Sequence, residues 1–490
     1  MRDSIVFYVN GDRHEIRGAD AMMTMAQWLR ERCHLVGTKV VCNEGDCGAC
    51  SVLVGRVAGD QLDYRPIDSC IMFLFQLDKT HVITVEGLGS DKVPTPGKVQ
   101  ASDDHVEPDN GLSAVQQAMV DCHGSQCGFC TPGFVTTLHA MLEKQTPLDD
   151  GSLRYGLSGN LCRCTGYLQI VDAAKSIDPA AVSPLGERYP EQEMLADFKK
   201  LGKKNVRIEC PGGNVLIPRT IKQVVSARSA FPKAVLVAGA TDYGVLHNHG
   251  KTETGDVISL CNVIDFDTIK IADNTLQIGG GATWTDIEQF VQKRIPQYHE
   301  ILTRFGSPQI RNAGTLAGNL AGGSPIGDSI PFHLVMDSTL DLTGPLGTRS
   351  VKLSEFYLGY RTNVMANDEF ITSIATPLPK ADERVALFKI SKRRDMDIST
   401  ETLGVWVKLD GDTITAARLA IGGVGSIVMR IKQAEEFLVG RTLSEETMQQ
   451  AGEIARGQIT PWTDVRGGAE YRLQLAENLL VKSFYELSKA

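Results

Sequence analysis

VCNEGDCGACSV, residues 41–52, places Cys42, Cys47 and Cys50 close together and threads Gly45 and Gly48 between them. With Cys70 further on, the pattern Cys42-x4-Cys47-x2-Cys50 is the plant-type [2Fe–2S] spacing. A cluster sulfur accepts hydrogen bonds from backbone N–H groups, and glycines let a loop wrap closely enough to supply them. A four-cysteine zinc site is the competing reading, although zinc sites usually pair one C-x2-C with a second. Upstream, Ser4–Val9 alternates as a strand, Asn10-Gly11-Asp12 is a hairpin turn, and residues 21–35 carry helical spacing. Strand, hairpin, helix and cysteine loop together predict a small α+β domain over residues 1–90.

Ten of the twelve cysteines precede residue 170, so cysteine chemistry belongs to the N-terminal third. A second constellation, Cys127-x2-Cys130 in SQCGFCTPGF and Cys162-x-Cys164 in GNLCRCTGY, falls at helix ends within a helical stretch, residues 111–178. A bundle can bring two such loops together, and free amides at helix ends can face a cluster. Spacing alone leaves zinc open here too. Cys33 and Cys122 read as packed thiols. Residues 90–111 and 178–210 read as irregular connections. Beyond them strands and helices alternate over 211–380, and a last segment, 381–490, mixes strands with C-terminal helices.

A formal charge of -9 argues against a nucleic-acid or anionic-membrane partner, which a basic face would serve. No apolar run approaches the roughly 20 residues of a membrane span; CIMFLFQL, 70–77, is short enough to be buried in a domain. The N-terminus lacks the unbroken apolar core of a signal peptide. A cytoplasmic protein with reduced thiols is expected, its cysteines serving as ligands or core residues. In the middle, AVLVAGATDYG (234–244) reads as a buried strand entering a small-residue turn, and RNAGTLAGNLAGGSPIGDS (311–329) as a long loop whose backbone could approach phosphate. IGGGATWTDIEQF (278–290) lacks the third glycine of a dinucleotide fingerprint and reads as a helix start capped by Thr283 or Thr285.

GTKVVCNEGDCGACSV, SQCGFCTPGF and GNLCRCTGY, in that order, resemble the two-cluster region of molybdenum hydroxylases of the xanthine dehydrogenase type. LVAGATDYG, RNAGTLAGNLAGGSPIGDS and FKISKRRDMDIS (388–399) resemble the FAD-binding and C-terminal domains of the same family. The resemblance implies a multidomain α+β chain: a β-grasp ferredoxin-like domain, a helical [2Fe–2S] bundle, an α+β FAD-binding domain and an α+β C-terminal flavoprotein domain. It implies one cluster on Cys42, Cys47, Cys50 and Cys70, and another on Cys127, Cys130, Cys162 and Cys164. It also implies that Leu236, Val237, Ala238, Gly239, Ala240, Thr241, Asp242 and Tyr243 line the FAD pyrophosphate. Thr315, Gly318 and Asn319 would take the diphosphate and ribitol, Asp328 the ribityl or adenosine end, and Lys392 would lie near the flavin.

The family's molybdenum cofactor domains need several hundred further residues, so the resemblance implies a large molybdenum-bearing partner in a heterodimer or a dimer of heterodimers. No residue here would hydroxylate substrate. Electrons would pass from the partner through both clusters to FAD and on to NAD, most simply in xanthine or hypoxanthine oxidation and purine catabolism. A flavin suits that junction because it accepts one electron or two. Another N-heterocycle or aldehyde substrate, or an acceptor other than NAD, fits the same residues. A zinc-stapled interaction protein is the reading from a different class.

Overall fold

A computed structural model of the chain describes residues 1–89, 111–252 and 255–489. The first connection read from sequence, 90–111, therefore lies outside the described residues except for Gly111. The chain divides into two units: one of Met1–Arg219, Ala234–Asn262 and Ser307–Ala313, the other of Thr220–Lys233, Val263–Gly306 and Gly314–Ala490.

In the first unit, β1 (Ile5–Val9) and β2 (Asp12–Ile16) form a hairpin whose two-residue turn, Asn10 and Gly11, takes positive φ at both positions. That is what an Asn-Gly pair is suited to supply. β3 (Ser51–Ala58), β4 (Gln61–Asp68) and β5 (Thr80–Ile83) complete a five-stranded sheet in the order β2-β1-β5-β3-β4, with β1 and β5 parallel. Helix α1 (Met25–Glu31), capped by the Thr24 hydroxyl, packs Met25, Trp28 and Leu29 onto this sheet's core. CIMFLFQL is buried throughout, as its composition predicts. The helical part follows as α2 (Ala114–Asp121), α3 (Thr131–Glu143), α4 (Asp150–Gly156) and α5 (Leu168–Ser176), sharing a core through Leu138, Leu153 and Ile170.

The stretch 178–210 is not an irregular connection. It holds the helix Glu191–Lys200 and the strand Val206–Cys210, which pairs with Gly213–Ile217. Acidic residues in the helix's first turn and lysines in its last complement the helix dipole. Met194 and Phe198, four apart, are the residues the helix buries in the core, with Leu195 packed partly buried beside them, so the segment's polar character hides its periodicity.

The second unit contains an antiparallel sheet of Ile269–Ala272, Thr275–Gly279, Phe370–Pro377, Thr339–Gly344 and Gly347–Lys352. Thr283 caps Trp284–Val291 in a reciprocal box with Asp286, one of the two caps its sequence offers. A four-stranded sheet of Glu383–Ile390, Glu401–Asp410, Thr413–Gly422 and Met429–Arg430 follows, covered by Lys432–Leu438, Glu445–Gln458 and Ala469–Leu487. The fold is thus multidomain α+β, as expected. Among the described residues no helix is long and apolar enough to cross a membrane.

Glu401, at the start of its strand, is fully buried and neither carboxyl oxygen has a hydrogen-bond partner. Burial pushes its pKa from 4.5 up to about 9, against the pull of Arg472. The folded state therefore keeps a proton that the unfolded chain releases above pH 4.5. Stability from this group is full below that pH and falls as pH rises toward 9, by up to about 1.4 kcal/mol per pH unit. Glu401→Gln should leave the denaturant midpoint nearly unchanged at pH 5 and raise it at pH 8. Equal midpoint shifts at both pH values would contradict a neutral carboxyl.

Candidate metal centres and flavin loops

The plant-type loop is built by backbone that only small residues accept easily. Gly45 and Gly48 have φ of +77° and +65°. A Cβ on Gly48 would stand 2.3 Å from the Gly159 carbonyl oxygen. The loop brings the Cys42 thiol within hydrogen-bonding reach of Cys47 and Cys70, and the Cys50 thiol within reach of Cys70. The Glu44 amide donates to the Cys42 sulfur at 3.4 Å. Cys50 and Cys70 are buried with Ala26 and Ile71.

In the helical part Cys130 is the N-cap of α3, and Cys162 and Cys164 lie in the turn before α5. The Cys164 and Cys127 sulfurs stand 3.5 Å apart, and Cys130 lies within reach of Cys162. Burial raises the Cys162 thiol, but hydrogen bonds from the Thr165 hydroxyl at 3.2 Å and the Thr165 amide at 3.4 Å, joined by the Cys164 amide and the Cys130 thiol, together hold its pKa below the ordinary value. Thr165 is thus a thiolate-stabilising residue that motif spacing alone did not mark. Both sets of four fit a two-iron cluster in donor chemistry. Among the described residues no three His, Cys, Asp or Glu side chains close round a single ion. A [2Fe–2S] cluster does not ask for that, because each iron takes two of the four thiolates. Cys33 and Cys122 stand apart from these sets: Cys33 follows the end of α1, with burial raising its pKa to about 11, and Cys122 caps α2 opposite Ser176.

The loop Leu236–Tyr243 lies in the first unit. Its strand, Val235–Val237, is only three residues long, and Val235 is exposed, so it is less buried than its apolar sequence suggests. Beyond the strand Ala240 takes a positive φ of +61°, in the turn that leads into the helix Tyr243–Asn248. The Ala238 carbonyl accepts from Gln76 at 3.1 Å. Asn248 donates to the carbonyls of Asn43 and Cys70, each at 2.9 Å, tying this segment to the plant-type cysteine loop. The spacing of the cysteines gave no sign of Asn248.

Residues 311–329, in the second unit apart from the segment ending at Ala313, are not one long loop: Leu316–Gly322 is helical. Leu316 and Leu320, four apart, are fully buried, and the Thr315 hydroxyl caps the Gly318 amide at 3.1 Å. Frequent glycine masked that pair. The Asn319 side-chain oxygen is buried without a partner, which fits an acceptor kept for a ligand donor. Asp328 is buried against Lys389 at 2.6 Å and also accepts from Ser399. Lys392, read from sequence as lying near the flavin, is exposed and donates to the Val465 carbonyl at 2.7 Å, while Lys389 is the lysine paired with Asp328. A lysine inside the apolar run ALFKI was the available signal.

Two cysteine-lined loops and a flavin-binding region in one chain define an iron–sulfur flavoprotein. Residues 7–74 match the family described as 2Fe-2S iron-sulfur cluster binding domain, and 84–175 the [2Fe-2S] binding domain. Residues 207–379 match the FAD binding domain in molybdopterin dehydrogenase, and 386–487 the CO dehydrogenase flavoprotein C-terminal domain. In order along the chain, these two [2Fe–2S]-binding domains, the FAD-binding domain and the C-terminal domain make up the small-subunit set of domains of the xanthine dehydrogenase/CO dehydrogenase-type molybdenum hydroxylases.

Similar proteins include xanthine dehydrogenase 1 of Arabidopsis thaliana, 28% identical over 99% of this chain and 40% of that protein. Aldehyde oxidase 3 of Rattus norvegicus is 27% identical over 99% of this chain and 39% of that one. The chain thus spans about 40% of the length of these curated relatives. In fold, it is similar to carbon monoxide dehydrogenase from Hydrogenophaga pseudoflava, with a TM-score of 0.54 and 24% identity over 57% of this chain and 98% of that one. Quinoline 2-oxidoreductase from Pseudomonas putida 86 gives 0.52 and 22% over 56% and 95%.

Proposed function

We propose that this chain is the electron-transfer subunit of a xanthine dehydrogenase, taking electrons from a large molybdenum-bearing subunit and delivering them to NAD. The observation that carries the partner is the surface round the helical cysteine loops. Cys127 and Cys164 are exposed, and Phe129, Leu161 and Leu168 beside them are 54%, 40% and 64% exposed. Apolar side chains left in water round ligand thiols suit a surface that a redox partner covers. The eight cysteines are assigned as the cluster ligands. Iron–sulfur clusters supply one-electron transfer, and FAD joins that to two-electron chemistry.

For FAD, Leu236–Tyr243 is assigned to the pyrophosphate. Thr315, Gly318 and Asn319 are assigned to the diphosphate and ribitol, and Asp328 to the ribityl or adenosine end. Lys392 is assigned a place near the flavin. Gly239 stands just before the turn at Ala240, where a branched side chain would occupy space the backbone needs to approach phosphate. Gly239→Val should therefore lower bound flavin while leaving both clusters in place. Unchanged flavin content would remove this loop from the FAD site.

The whole reading is tested on the complex isolated with its native partner. Xanthine should bleach the flavin, and NAD should restore its absorption. Bleaching by an aldehyde or another N-heterocycle but not by xanthine would move the partner's substrate. A colourless, zinc-containing protein would end the redox reading.

A further inference from the structure

The two cysteine loops of the first unit touch through their backbones. The Cys47 carbonyl accepts from the Leu161 amide at 3.0 Å, and Leu161 adjoins Cys162. One residue on, the Gly48 carbonyl accepts from Asn160 Nδ2 at 3.2 Å. A Cβ on Gly133 would fall 2.1 Å from that same carbonyl oxygen, so the approach of α3 to the plant-type loop depends on a bare backbone.

One side chain ties these pieces together. Gln309, 1% exposed, directs Nε2 at Ser51 Oγ (3.2 Å), Thr137 Oγ1 (3.4 Å) and Asn160 Oδ1 (3.0 Å). An amide nitrogen carries two hydrogens, so the three acceptors share them. Ser51 follows Cys50, Thr137 lies on α3 behind Cys130, and Asn160 stands two residues before Cys162. Gln309 therefore holds both cysteine loops and the helix between them, while Asn160 relays that hold to Gly48.

We propose that Gln309 and Asn160 are positioning residues that keep the two cysteine loops in register and so fix the separation at which the clusters they would hold exchange electrons. That exchange would oxidise one cluster by one electron and reduce the other by one. No bond breaks and no proton is transferred. The proposal rests on the assignment of the eight cysteines as ligands, which Cys50→Ser and Cys162→Ser test separately: each should abolish a different EPR signal, and failure there would overturn the assignment itself.

The experiment compares full-length wild type with Gln309→Leu and Gln309→Glu after iron and sulfide assays. Gln309→Leu removes the donating amide, and Gln309→Glu keeps the size while losing the donor. With both clusters present, EPR of the reduced protein should show weaker magnetic interaction between them. Rapid-freeze measurement should show slower electron equilibration between them. Unchanged interaction and rate in a variant that keeps both clusters would overturn the proposal. So would loss of a cluster in both variants, which would make Gln309 a plain element of the fold.

Discussion

Changing Cys164 to serine is expected to abolish one of the two [2Fe–2S] EPR signals and half of the iron, and to leave the other signal intact. Cys164 faces Cys127 at 3.5 Å on an exposed loop, and a serine hydroxyl is a poor replacement for a thiolate on iron. Cys42, Cys47, Cys50 and Cys70 form a separate set in the plant-type loop, so nothing in the substitution reaches them. In the complex with the proposed partner, substrate should no longer reduce the flavin, because the helical-domain loop, with its exposed apolar rim, is the one proposed to face that partner. NADH should still reduce it. Bleaching by substrate at the wild-type rate would mean that Cys164 is not a ligand or that electrons bypass this domain.

The second large effect concerns stability. Asp78 is fully buried and pairs with Arg2 at 2.6 Å and with Arg219, while its carboxylate also accepts from the Val6 amide at 2.8 Å. Arg219 is buried, and desolvation followed by repulsion from Arg2 pushes its guanidinium pKa down to about 10, still charged at neutral pH. Removing the carboxylate leaves two close cations and an unpaired amide. Asp78→Ala should cost about 3–5 kcal/mol, the penalty of an uncompensated buried charge. Its denaturant midpoint, read on protein with intact clusters, should fall accordingly. A loss below about 1 kcal/mol would mean that water reaches the arginines as it does a surface pair.

Cysteine spacing alone made the two metal-binding loops legible, because cluster ligands must recur at intervals that a short loop can close. The β1–β2 turn and the Thr283 cap were legible for the same local reason: φ at Asn10-Gly11, and a hydroxyl three residues before Asp286. The helices Glu191–Lys200 and Leu316–Gly322 were hidden because each shows only one buried pair four residues apart amid polar or glycine-rich sequence.

What tertiary structure alone decided are the partnerships between residues far apart in the chain. Lys389 meets Asp328 because it lies on the buried strand Glu383–Ile390, whereas Lys392 lies beyond the strand's end and is exposed. Gln309 reaches Ser51, Thr137 and Asn160, and Asn248 reaches Cys70, across separations that no local pattern encodes. Sequence by itself determined which atoms can bind iron and where the backbone can turn, since those depend on neighbours along the chain. Packing determined which polar groups are shut away from water, and a buried donor must find its acceptor wherever the fold has placed one.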